Sequence, residues 1–208
     1  MKFRRKEQES AETVDDAEGT DLAADAPETG PYDSDELPHS HVDRVDLGSM
    51  LISPEPGREL RIQVDEASGT VQSVVIAGPD GAVELRAFAA PRNGDLWADA
   101  MPQIAAEVAQ SGGTTSEREG PWGTELICQV SQRSGAPQVT RVVGINGPRW
   151  MLRASMLGQP AVTPDQAQSW EDSIRKVVVH RGTHAMPVGE ALPIVMPAEA
   201  RRVEPPAK

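Results

Sequence analysis

Arg149, Met151 and Arg153 alternate along the run Pro148-Arg149-Trp150-Met151-Leu152-Arg153, and Arg133 stands a short way upstream. On a strand, every second side chain points the same way, so this spacing sets two guanidiniums around one apolar contact on a shared face. Such a face has the chemistry to hold an anion, either a phosphate backbone or an acidic peptide. Trp122, in the corner Gly120-Pro121-Trp122-Gly123, is of a different kind. An indole on a glycine-flanked corner serves as an anchor for a partner or as a plug for the end of a core. Arg149, Met151, Arg153, Trp122 and Arg133 together make the candidate binding surface.

Reactive chemistry is harder to assemble, and no catalytic, cofactor-binding or metal residue is nominated. Gly144-Ile145-Asn146-Gly147 lies in a hairpin rather than between a strand and a helix, so it lacks the helix dipole that a phosphate loop uses. His39 and His41 are spaced for one metal with only Asp43 beside them, and His180 and His184 flank the helix breaker Gly182. Body carboxylates occupy polar strand positions, which leaves no general acid–base pair. Cys128 is the single cysteine, so no intramolecular disulfide forms. Its alternation with Leu126 and Val130 predicts a buried, inert thiol.

The elements that must position these residues are legible from pattern. Val139 to Met156 reads as two strands folded at Asn146-Gly147. Pairing Ile145 with Trp150 gathers Val139, Val143, Ile145, Trp150, Leu152, Ala154 and Met156 on one face, spoiled only by Arg141. Thr140, Val142, Gly144, Met151, Arg153 and Ser155 take the other. Upstream, Met50-Leu51-Ile52 is a short strand, and three strands around Leu60–Val64, Val71–Ala77 and Val83–Ala87 form a meander whose middle member is central. Thr114–Glu119 and Thr124–Ser131 are two more strands, the first at an edge.

Trp97, Met101, Ile104 and Val108 recur at helical spacing between Asp95 and Ser111, with Pro102 either kinking the helix or lying in its first turn. Thr163-Pro164-Asp165-Gln166 reads as a capping box opening a second helix striped by Ala167, Trp170 and Ile174. Val177–Val179 passes into a short strand. The order argues an α+β fold: an antiparallel sheet of about six to eight strands with two helices packed on one face.

Charge divides the chain. Of the formal −12, residues 1–46 hold 14 acidic and 5 basic side chains, a net of −9, leaving −3 for the other 162 residues. Residues 1–43 therefore read as a disordered acidic tail with a basic start, Met1-Lys2-Phe3-Arg4-Arg5-Lys6. As a hypothesis, residues 7–36 fold over the arginine face and screen it. Residues 44–182 read as the α+β domain, 183–197 as an extended Pro-rich segment packed on it, and 198–208 as a second disordered tail. No apolar stretch follows the basic start and none approaches a membrane span of about 20 residues, so a cytoplasmic setting is expected. Sixteen Arg against four Lys suggests a GC-rich genome.

Four runs carry a resemblance: Leu96-Trp97-Ala98-Asp99-Ala100-Met101-Pro102-Gln103-Ile104, Gly120-Pro121-Trp122-Gly123, Asn146 to Arg153, and Met186-Pro187-Val188-Gly189-Glu190-Ala191-Leu192-Pro193. Over about residues 40–197 the chain resembles an uncharacterised actinobacterial family, a domain of unknown function found in short cytosolic proteins with an acidic N-terminal tail. The resemblance implies an actinobacterial source and supplies no activity, cofactor or active site. The element order is also similar to the fold of the extrinsic photosystem oxygen-evolving subunit and of Ran-binding import factors, an analogy of fold alone. The expected function is a non-enzymatic cytoplasmic protein-binding or assembly module. The alternative is association with nucleic acid or nucleotides through the arginine face.

Overall fold

A computed structural model describes residues 30–37, 43–65, 67–131 and 135–197. The acidic tail up to residue 29, His39, His41, Arg133 and residues 198–208 lie outside the described residues.

The chain is mostly β. Strands β4 (Glu59–Val64), β5 (Val71–Ala77) and β6 (Gly81–Ala89) form the expected meander. They join β7 (Thr114–Gly120), β8 (Gly123–Val130), β9 (Gln138–Gly147) and β10 (Trp150–Gly158) in one antiparallel sheet of seven strands, ordered β4-β5-β6-β10-β9-β8-β7. The middle of the sheet is β10, not β5 as the pattern suggests, because the meander packs its last strand against the hairpin.

The hairpin turns at Pro148-Arg149, with Gly147 opposite Trp150 and Ile145 opposite Leu152. That is two residues from the expected pairing of Ile145 with Trp150. A slip of two preserves every side-chain face, since the period is two. Arg149 takes φ 60°, a left-handed conformation uncommon outside glycine, so the turn here carries strain that Asn-Gly at its centre would have avoided.

A second, smaller sheet is the main departure from expectation. Its strands β1 (Tyr32–Asp33), β2 (Val45–Asp46), β3 (Met50–Ile52) and β11 (Val178–Val179) are ordered β1-β11-β3-β2. Two- and three-residue strands leave almost no alternation to read, which is why only β3 and β11 are visible in sequence and their pairing is not. Residues 30–37, acidic enough to be grouped with the tail, are fastened by this sheet. Asp33 is buried and its Oδ2 accepts a 2.6 Å hydrogen bond from the Trp150 indole.

The two long helices lie on opposite faces of the large sheet, correcting the expectation of one shared face. α1 (Leu96–Gln110) starts at Asp95, whose carboxylate accepts from the Ala98 N–H, and holds Pro102 in its interior on an exposed side. It covers Leu126, Cys128, Val142 and Met151. A short α2 (Gln159–Val162) follows β10, and a 3-10 turn at Pro164–Gln166 leads to α3 (Gln168–Arg175). No side chain caps α3: the Thr163 carbonyl, rather than its hydroxyl, accepts from Gln166 N–H, so the expected capping box does not form.

Trp170 and Ile174 of α3 join Leu47, Met50, Ile52, Val177 and Val179 of the small sheet against Trp150, Leu152, Ala154 and Met156. The Trp150 face of the hairpin is thus covered along its length, and its other face is covered where Val142 and Met151 lie under α1.

Arg141, the blemish on that apolar face, is 1% exposed and does not reach the edge. It binds Glu125 at 2.9 Å and Glu171 at 2.8 Å, while Arg118 joins Glu125 and Arg175 joins Glu171. Burying this cation is tolerable only with both carboxylates in place. Arg141→Met is therefore expected to cost about 3–5 kcal/mol in urea unfolding, and replacing Glu125, Arg141 and Glu171 together by apolar residues should recover most of the loss. A single-substitution cost under about 1 kcal/mol would show the cluster to be energetically idle.

α3 is tied down by Arg58, whose guanidinium lies 4.0 Å from the Trp170 ring centroid, and by Glu55, which accepts from Ser173 and Lys176 at 2.7 and 3.0 Å. Burial pushes the Glu55 carboxyl up, but hydrogen bonds from Ser173, Lys176 and Arg58 outweigh it and hold the pKa below its ordinary 4.5. A depressed carboxyl pKa contributes stability above the unfolded value and loses it as pH falls through the folded one. Wild-type protein should therefore lose more stability than Glu55→Gln between about pH 5 and pH 3, read from denaturant midpoints. Parallel pH curves would reject this.

Candidate functional site

The face of the sheet that carries α1 is only half covered. α1 lies over β7, β8 and β9, while β4 to β6 and part of β10 on that side have no helix above them. Val75, Glu84, Arg86, Phe88, Arg153 and Leu157 point to this open half and are each partly exposed.

Within it, Arg86 and Arg153 stand directly opposite each other on β6 and β10. Their Cζ atoms lie 5.6 and 5.2 Å from the centroid of one ring, Phe88. Burial, and then the Arg86 charge, lower the Arg153 pKa below its ordinary value, with Glu84 and Glu107 acting through space the other way. Among the described residues neither guanidinium has a carboxylate within ion-pair distance, and the buried Arg86 Nε has no acceptor. Like charges directly across a strand pair are destabilising, and an unmet buried donor costs about 1–3 kcal/mol. The protein holds two cations without ion-pair partners around an aromatic ring on an open surface, an arrangement complementary to an anion.

The sequence candidates disperse around this centre. Arg153 belongs to it. Met151, two residues away on the same face, is 2% exposed and lies under α1, so it is core and not surface. Arg149 sits at the hairpin tip, where its carbonyl accepts from Ala90 N–H at 2.9 Å and from Arg181 Nε at 3.1 Å. Trp122 packs on the opposite face of the sheet against the main core, with Arg175 5.0 Å from its ring centroid. Of the segment imagined to fold over the arginines, residues 30–36 lie on that opposite face too, with β1 paired to β11.

Arg86 and Phe88 were missed because they lie 65 or more residues upstream of Arg153. Their alternation with Val83, Leu85 and Ala87 reads as an ordinary solvated strand face. Only the pairing of β6 with β10 joins them to Arg153.

The remaining chemistry is quiet. His180 Nδ1 lies 2.8 Å from the Ser34 hydroxyl, and no group of three metal-binding side chains occurs among the described residues. Cys128 is buried, and desolvation raises its thiol pKa above the ordinary 9.0. A groove of about 390 Å³ runs between α1 and the edge strand β7, lined by Ala98, Met101, Pro102, Ala105 and Glu117 among others. It holds no pair of titratable groups.

If Arg86 is kept for binding rather than stability, Arg86→Met should stabilise the fold. It retains the aliphatic stem while removing the repulsion and the unmet donor, for an expected gain of about 1 kcal/mol in chemical denaturation. A loss of 1 kcal/mol or more would mean the guanidinium serves the fold.

No curated protein and no solved structure matches the chain, so the analogy to the oxygen-evolving subunit gains no support. No helix among the described residues is long and apolar enough to cross a membrane. Residues 30–203, which include the small sheet, the hairpin and the arginine pair, match one family throughout: the chain belongs to the family described as protein of unknown function (DUF3710).

Proposed function

We propose that this chain is a non-enzymatic docking module whose open sheet face binds an acidic segment of a protein partner. The observation that carries the reading is the cross-strand pair Arg86–Arg153 around Phe88, without ion-pair partners and partly buried. A guanidinium stays protonated at neutral pH and exchanges no proton, which suits it to holding an anion rather than to acid–base catalysis. Val75 and Leu157 on the same face add apolar area for a peptide to cover. The face is open rather than a closed pocket, the form that a segment of another chain can lie across.

Nucleic acid is the second reading, and charge disfavours it. A net of −12 opposes the approach of a polyanion over long range, whereas a short acidic segment meets the pair locally. The cytoplasm of an actinobacterium is part of this proposal, and the Arg-over-Lys bias supports the source.

A photo-crosslinking residue at Val75 or Leu157 is expected to trap a protein, and Phe88→Ser or Arg153→Gln to abolish the trap. The same probe at Val195, exposed beside Gly48 of the small sheet, should not trap it. Equal trapping from Val195, or recovery of nucleic acid instead of protein, would overturn the reading.

A further inference from the structure

We infer that the anion taken by the Arg86–Arg153 pair is a phosphate monoester carried on a side chain of the docking partner. The inference rests on the docking reading and names the group that the site selects.

Two guanidinium forks stand on neighbouring strands, with the Arg86 Nε buried and without an acceptor. A carboxylate can bridge two guanidiniums, as Glu125 does between Arg118 and Arg141, but it brings two oxygens and one charge. A phosphate monoester brings three oxygens and a charge of about −1.5 to −2 at neutral pH, so it offers the pair more acceptors and more charge than one carboxylate. Glu84 and Glu107, the acidic groups acting on Arg153, influence it without pairing, so they leave its donors available. Phe88 lies within cation–π distance of both guanidiniums.

The apolar surroundings favour a phosphorylated side chain over free phosphate. Val75, Phe88 and Leu157 give a peptide something to cover, and inorganic phosphate makes no use of them. β6 is also walled on its far side near Phe88 by the C-terminal segment. There Ala89 N–H donates to Glu190, and Leu192 N–H donates to Ala87, both at 2.8 Å. That contact holds the end of β6 that carries the ring.

The test titrates the full chain with four probes: inorganic phosphate, a degenerate peptide mixture with a fixed phosphoserine, and the same mixture with Glu or Ser at that position. The phosphoserine mixture is expected to bind at least tenfold more tightly than the Glu mixture, and the Ser mixture not measurably. Arg86→Gln and Arg153→Gln should each weaken it tenfold or more, and Arg86→Lys, which keeps the charge but not the fork, nearly as much. Arg61→Gln, on an exposed arginine already paired with Glu59, should leave it unchanged.

Equal affinity for the phosphoserine and Glu mixtures would overturn the phosphate assignment while leaving acidic docking intact. Inorganic phosphate binding as tightly as the phosphopeptides would overturn the assignment to a protein side chain. Crosslinks at Val75 and Leu157 that survive while none of the four probes binds would sink this inference alone. Loss of the crosslinks with retained phosphoserine binding would sink the docking reading instead.

Discussion

Trp97 and Trp150 press on opposite faces of the β9–β10 hairpin, and each indole occupies space that a glycine leaves empty. A Cβ on Gly144 would meet the Trp97 ring, and one on Gly147 would meet the ring of Trp150. Both indoles are also hydrogen-bonded, Trp97 to the Thr124 carbonyl at 2.7 Å and Trp150 to Asp33 at 2.6 Å. A buried indole contributes several kcal/mol through its area, and its N–H must be met when it is taken from water. These two contacts set where α1 sits, and draw residues 30–37 onto the body. Everything else in the fold arranges itself around this hairpin.

Covering both faces has a consequence for charge. The seven-stranded sheet is wider than α1, so the side facing the helix is dry over β8 and β9 and wet over β4 to β6. Arg141 lies on the fully covered side and is tied into a chain of carboxylates and cations that runs from Arg118 on β7 to Arg175 on α3. Arg86 and Arg153 lie on the half-covered side with no such partners. The same residue type is structural in one place and available for binding in the other. The difference is set by which face lies beneath α3 and the small sheet, not by anything within a few residues of the arginine.

Gly120 shows how closely the structural network is fitted. A Cβ there would crowd the Glu125 carboxylate, so the corner Gly120-Pro121-Trp122-Gly123 makes room for the buried ion pairs as well as turning the chain. Trp122, which reads from its corner as a partner anchor or as a plug for the end of a core, packs beside the network with Arg175 over its ring.

Alternation by itself determined the meander, the hairpin, the face of nearly every strand residue and the extent of α1, because these depend on a period that neighbouring residues already express. Arg153 was legible as a candidate on an outward strand position for the same reason. Tertiary structure alone decided that the helices lie on opposite faces, that two-residue strands make a second sheet, and that Met151 is roofed by α1. It also decided that Arg86, Phe88 and Arg153 stand together. Pairing between β6 and β10 brings together residues about 65 positions apart, and no local pattern records which strand will lie beside which. Burial follows from that pairing, and with it the distinction between an arginine held between two carboxylates and one with no ion-pair partner.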